Sequence, residues 1–218
     1  MITNFKNYKT YFFALSFSLM SFYEVAAQQV AVTENGEEVI LYEDGTWKYK
    51  DTKSSWTTSL DTVIRTKPAK SAFLVKGSRF PYGVWVNAKE WKFKKTETGN
   101  ESPSELSFQL IGEEAHALII AERLHFSLNE LREIAVANAT KAAPDIQVVH
   151  EDIRKINGVT VRCLQMNGTV RGLKITYLGY YYSTEKGTVQ FITFTGQNLF
   201  KEYKQRMEAL LDGFVILE

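Results

Sequence analysis

Cys163 is the one cysteine in this 218-residue chain, and it is the first candidate for chemistry. A cysteine nucleophile needs a base and an electropositive, accessible setting. Cys163 instead shares a strand face with Val159 and Val161, which reads as a buried structural thiol. The three histidines are His116, His125 and His150, and no two stand at a recognised metal-ligand spacing. Glu113, Glu114 and His116 meet at a turn, as do His150, Glu151 and Asp152; solvated surface is the simpler reading of both. Asp145 with Glu151 and Asp152 supplies carboxylate pairs, but acid–base work depends on a separation that spacing in sequence does not set. Gly-x-Ser-x-Gly, Gly-x-Gly-x-x-Gly and the phosphate-loop pattern are absent. On these grounds no catalytic residue, metal or cofactor is assigned, and the chain reads as non-enzymatic.

Aromatic side chains are the more suggestive feature. Tyr82, Trp85 and Trp91 cluster with Phe93, and Arg79 is nearby. Exposed, they would make a platform for a glycan, a small ligand or a partner surface. Tyr82, Trp85 and Trp91 are therefore the candidate binding residues. Tyr177 and the run Tyr180-Tyr181-Tyr182 add further rings. The competing reading is an aromatic core.

These residues must be positioned by strands and two helices. In residues 28–50, Asn35-Gly36 and Asp44-Gly45 are turn signals between short alternating runs, which predicts a β-hairpin or meander. Residues 51–71 are rich in Lys, Ser and Thr and read as a linker. From Ala72 onward, short strands are expected at Val84–Val86, Leu106–Ile111 and Ala117–Ala121. Ser127-Leu128-Asn129-Glu130 is a capping box that opens a helix ending at Pro144. Four strands follow, near Ile146–Ile153, Val159–Met166, Leu173–Tyr182 and Val189–Thr195. Asn157-Gly158, Asn167-Gly168 and Lys186-Gly187 are their expected turns. A last helix carries Leu199, Tyr203, Met207, Leu210 and Phe214 on one face, with Gly213 as its stop. Apolar residues on both faces of the strands call for cover on both faces. The expected class is α+β: an antiparallel sheet flanked by helices, with an N-terminal hairpin or meander.

This pattern resembles the PsbP-like superfamily over residues 72–218. The resemblance rests on the capped helix, Ile156-Asn157-Gly158, the strand ending Tyr180-Tyr181-Tyr182, the strand Val189-Gln190-Phe191-Ile192, and Leu210-Leu211-Asp212-Gly213-Phe214. It implies an α/β sandwich and a binding or assembly role, because the superfamily is largely non-enzymatic. It carries no catalytic motif to transfer. Separately, Glu43-Asp44-Gly45-Thr46-Trp47-Lys48-Tyr49 resembles a short element of exported proteins in Bacteroidetes-type bacteria.

The first 27 residues read as a secretory signal peptide. Lys6 and Lys9 precede the uncharged, mostly apolar run Tyr11–Phe22, and Val25-Ala26-Ala27 places small residues before Gln28. The run is too short to span a membrane, which takes about 20 apolar residues. There is no cysteine near the cut to accept a lipid. Without Lys6, Lys9 and Glu24, the 26 basic and 25 acidic residues become 24 of each. A neutral chain has no global field that would draw it to nucleic acid. The expectation is thus an exported protein, periplasmic or secreted, without a membrane anchor. It would bind an envelope protein partner or, alternatively, a glycan or small ligand, and an enzyme of unrecognised type is the remaining alternative.

Overall fold

The computed structural model describes residues 29–32, 38–42, 45–49, 59–96 and 103–217. The expected signal peptide, the Asn35-Gly36 turn and the first part of the linker lie outside the described residues. The chain divides into two units, Met1–Ser55 and Trp56–Glu218.

In the first unit, β1 (Gln29–Val32), β2 (Glu38–Leu41) and β3 (Trp47–Tyr49) form an antiparallel meander in that order. Gly45 has φ +79° and donates its amide to the Tyr42 carbonyl, closing the second turn.

The second unit holds the core. Its strands are β4 (Ser59–Arg65), β5 (Phe73–Lys76), β6 (Tyr82–Val86), β7 (Trp91–Lys95), β8 (Leu106–Leu110) and β9 (Ala115–Glu122). Helix α1 (Leu128–Ala142) follows, then β10 (Gln147–Ile156), β11 (Val159–Val170), β12 (Leu173–Thr184) and β13 (Gly187–Gly196). Helix α2 (Phe200–Leu211) and β14 (Phe214–Ile216) complete it. Eight strands pair in the order β4-β10-β11-β12-β13-β9-β8-β7, and three more in the order β14-β6-β5. All pairs are antiparallel except β4 with β10. The unit is thus mostly β, with a mixed sheet and two helices.

Each face of the large sheet has its own cover. Helix α2 and the small sheet pack on one face, burying Tyr82, Val84, Phe108, Ile119, Phe191 and Met207 among others. Helix α1 packs on the other, over a smaller cluster of Leu131, Ala135, Leu164 and Tyr181. The capping box that opens α1 is present: Ser127 Oγ accepts from the Glu130 amide, and Glu130 Oε2 accepts from the Ser127 amide.

Four expectations are corrected. The linker is not unstructured throughout: Ser59–Arg65 is an edge strand, with Ile64 opposite Lys155. Its exposed apolar side chains, Leu60, Val63 and Ile64, hid the strand period. The Asn167-Gly168 pair is not a turn, because β11 runs on to Val170 and turns at Arg171 (φ +49°) and Gly172 (φ +83°). Gly168 has a packing reason instead: a Cβ there would stand 2.9 Å from Ala143 Cβ, at the end of α1. Phe214 is not helical. The chain leaves α2 at Leu211, and Phe214 pairs with Val84 in the small sheet. Gly213 makes that departure possible, since any Cβ would fall 2.1 Å from the Trp85 carbonyl oxygen. Finally, the large sheet is mixed, because β4 joins it in parallel.

Glu105 ties the small sheet to the large one. Its carboxylate accepts from Tyr82 Oη at 2.6 Å, from Ser78 Oγ at 2.6 Å and from the Ser78 amide. Burial pushes this carboxyl up, but those hydrogen bonds and Arg79 outweigh burial and hold it below the usual carboxylate range. A depressed carboxyl stabilises the fold above its unfolded pKa, and that contribution is lost as pH falls through the folded value. Glu105→Gln should therefore cost about 2 kcal/mol near neutral pH. Urea unfolding at neutral and acid pH checks this, and the gap between variant and wild type should shrink on acidification.

Candidate functional site

Strand β9 alternates perfectly between buried and half-buried residues. Ala115, Ala117, Ile119 and Ala121 face the α2 side and are buried. The other face carries His116, Leu118, Ile120 and Glu122, all half-buried. Two of these four are apolar and stand at its middle, so β9 asks for cover on both faces and receives full cover on one.

Register extends this open face across the sheet. Lys92 pairs with Gln109, Gln109 with His116, His116 with Phe194, Phe194 with Tyr177, and Tyr177 with Met166. The row crosses six strands. Its middle is aromatic: the His116 and Phe194 rings stack at 5.5 Å, and Phe194 meets Tyr177 at 6.0 Å. Burial pushes the Tyr177 phenol up, so it stays a neutral donor.

Three concavities adjoin this row and share Phe194. One of about 480 Å³ lies over β7 and β8, beside Lys92, Lys94, Gln109 and His116. One of about 590 Å³ lies at the other end of β13, beside Leu173, Lys174 and Gln197. The third, about 170 Å³, is a groove between α1 and the sheet. Its helix wall is Ala135, Asn138, Ala139 and Ala142, small side chains that leave space a leucine would fill. Its floor includes Tyr181 and Gln190, which are 0% and 3% exposed. The Tyr181 hydroxyl has no hydrogen-bond partner. Tyr181 lies over Gly179, where a Cβ would stand 3.2 Å from that hydroxyl.

A larger concavity of about 740 Å³ sits elsewhere, between residues 69–73 and 86–90. Its charged side chains, Lys70, Lys89 and Glu90, are not drawn into any buried network, so it offers shape without convergent chemistry.

The candidate residues read from sequence do not form a platform. Tyr82 and Trp91 are 0% and 2% exposed and belong to the α2-side core. Trp85 is half-buried, with Lys67 Nζ 4.8 Å from its ring centre. The physical reason is the small sheet, which turns β6 into a core strand. Tyr180 is also buried and donates to Asp212 Oδ1 at 2.8 Å. Sequence reasoning did not single out Phe194, Met166, Gln190 or the helix alanines. The available signal was the apolar face of β9, with Leu118 and Ile120 opposite an already complete core face.

Cys163 is fully buried, and burial pushes its thiol up to about 12, against the opposing pull of Arg154. A thiol so held is a poor nucleophile. His150 pairs with Asp152 at 2.7 Å, and Arg154 Nε also donates to Asp152 at 2.7 Å. Asp145 accepts from the Thr169 amide at 2.7 Å. Among the described residues, no three His, Cys, Asp or Glu side chains are placed to hold a metal, and no helix is long and apolar enough to cross a membrane.

No family model matches the chain. No curated protein matches it. Among solved structures, the solution structure of cyanobacterial PsbP (CyanoP) from Synechocystis sp. PCC 6803 covers 73% of this chain and 98% of its own, at 12% identity and TM-score 0.51. A Pseudomonas aeruginosa protein of unknown function, described as a putative regulator, covers 67% of this chain and 97% of its own, at 9% identity and TM-score 0.44. LpqN of Mycobacterium tuberculosis, described as involved in cell envelope biogenesis, covers 67% and 90%, at 10% identity and TM-score 0.42. The likeness to cyanobacterial PsbP shows that the domain has a PsbP-like fold, in agreement with the sequence resemblance.

The unpartnered Tyr181 hydroxyl carries a stability cost. Removing a buried, unsatisfied polar group relieves a penalty of about 1–3 kcal/mol. Tyr181→Phe should therefore raise the unfolding midpoint in urea and in heat. A lower midpoint would mean that the hydroxyl has a partner in solution.

Proposed function

We propose that residues 56–218 form a non-catalytic binding module of an exported protein, and that its binding surface is the open face of the large sheet. The observation that carries this reading is the convergence of three concavities on Phe194, within the row Lys92–Gln109–His116–Phe194–Tyr177–Met166. Ligand sites are concave and mainly apolar, with a few polar groups that set orientation. Here the apolar part is Leu118, Ile120 and Phe194, and the polar part is Lys92, Lys94, Gln109 and His116.

The buried, high-pKa Cys163 and the paired state of His150 favour binding over catalysis. The PsbP-like fold is compatible with a binding or assembly role, although fold alone does not assign one. Export rests on the n-region, apolar run and small residues of positions 1–27. The compartment would be the periplasm or the exterior, and the partner a component of the envelope.

Two measurements test this reading. Immobilised protein should retain an envelope component that Phe194→Ser loses, while both proteins melt cooperatively. If the same set of components is retained by both, the open face is not the binding surface. Mass spectrometry of the exported form should find Gln28 at its N-terminus, and retention of Met1 would remove the export claim.

A further inference from the structure

We propose that the outer edge of β7 binds, by strand addition, an extended segment that alternates acidic and apolar residues. The proposal goes beyond the open-face reading and does not rest on it.

The backbone comes first. Among the described residues β7 pairs with β8 and with no other strand, so it ends the large sheet. Its register with β8 is unbroken. Two flanking bonds fix which groups the pairing uses. The Ile111 amide donates to the Glu90 carbonyl at 2.8 Å, and the Thr96 amide donates to the Glu105 carbonyl at 2.9 Å. Bonded pairs alternate along an antiparallel ladder, so Lys92 and Lys94 bond inward to β8. Trp91, Phe93 and Lys95 therefore turn their backbone groups outward. The Trp91 amide is taken by the Asn87 carbonyl at 2.9 Å. Phe93 and Lys95 each present a donor and an acceptor, at the two-residue spacing that an added strand uses.

Two other edges of this unit are blunted. Strand β4 is bulged against β10, and Asp61 Oδ1 accepts from its Val63 amide at 2.9 Å. On the outer side of β14, Asn157 Nδ2 donates to the Phe214 carbonyl at 2.7 Å. Bulges and covered edges are devices against strand addition. Strand β7 carries neither.

The side chains name the partner. Lys92 and Lys94 stand on the open face, Phe93 and Lys95 on the other, and all four are exposed. Phe93 is 38% exposed and meets Phe73, itself 49% exposed, with ring centres 5.6 Å apart. Phe73 also lines the concavity of about 740 Å³, which adds Lys70 and Lys89 against Glu90. A strand laid beside β7 sets alternate residues opposite Lys92 and Lys94, and the intervening ones opposite Phe93. Asp or Glu matches the first set, and an apolar side chain matches the second. A second copy of this chain does not fit, because β7 against β7 sets lysine against lysine. Lysines alone protect an edge from pairing. Protection gives no reason for two exposed phenylalanine rings beside them.

The probe is a six-residue peptide alternating glutamate and valine, blocked at both ends. Its control carries lysine in place of each glutamate. Calorimetry on the purified protein should find binding of the acidic peptide alone. Amide hydrogen exchange should then slow at Phe93 and Lys95 and stay unchanged at Lys92 and Lys94, whose amides already bond to β8. Lys92→Glu together with Lys94→Glu should weaken the peptide by roughly 10- to 30-fold. Lys95→Pro removes an outward donor that the fold does not use, so it should weaken the peptide more than Lys95→Ala does. If Lys95→Pro does not fold, the exchange pattern decides alone. The proposal is overturned if the acidic peptide does not bind, or if both peptides bind alike. Binding that leaves Phe93 and Lys95 exchange unchanged also overturns it, since that is diffuse attraction to lysine. Phe194→Ser, the variant that tests the open face, should leave the peptide affinity unchanged. A loss there would seat the peptide on the open face and remove the edge site.

Discussion

A single helix cannot cover an eight-stranded sheet. At about 4.8 Å per strand, the large sheet is roughly 35 Å wide. Helix α1, with its side chains, is about 10–12 Å across. On the opposite face, α2 is supplemented by the three-stranded sheet β14-β6-β5, and that face closes into one core. Among the described residues of this unit, no second element supplements α1, which packs on β11 and β12 and not over β8 and β7. Both the closed core and the candidate site follow from this asymmetry.

The position of α1 is fixed at both ends, so the groove beside it keeps its shape. At the N-terminal half, Arg132 Nε donates to Glu151 Oε2 at 2.9 Å, Arg162 donates to the same carboxylate, and Arg162 Nη2 donates to Asn129 Oδ1 at 2.6 Å. Glu151 and Arg162 are buried, and removing one partner of such a set leaves an uncompensated charge worth about 3–5 kcal/mol. At the C-terminal end, Gly168 lets Ala143 and Ile146 approach β11 closely. A helix pinned by charge at one end and by close packing at the other cannot roll across the open strands. The alanines at Ala135, Ala139 and Ala142 therefore face a void that the fold does not fill by adjustment.

Much of the sequence-to-structure path was direct, and the failures have physical causes. The capping box placed α1, and Asn157-Gly158 placed the first turn of the long meander, because positive φ at Asn157 (+48°) and Gly158 (+86°) suits those residues. Arg171 also adopts positive φ, and nothing about an arginine announces it. Asn167-Gly168 misled because a glycine demanded by a neighbouring helix looks the same as one demanded by a turn. Phe214 fits the helical period of α2, yet Gly213 lets the chain switch to a strand three residues after the helix ends. The site was less legible than the fold. Tyr82 and Trp91 carried the aromatic signal, but the small sheet that buries them is built from the distant segments 73–86 and 214–216.

The open face is not a polar surface left over once the core was complete. Leu118, Ile120, Ile192, Phe194 and Tyr177 are half-buried on it, while Met166 at the end of the row is already buried. A face meant only for water would alternate to Lys, Glu or Thr at these positions. Fully burying one such side chain is worth about 1.5–3 kcal/mol, so each half-buried residue holds part of that in reserve. The rings recover some of it from one another, since His116, Phe194 and Tyr177 shield their neighbours in the row. The remainder is available to whatever covers the face. Lys92 and Lys94 stand at the rim, where charge sets the orientation of an arriving partner at little desolvation cost. An apolar middle with lysines at its rim is compatible with the proposed binding role, and stability alone gives no reason for it.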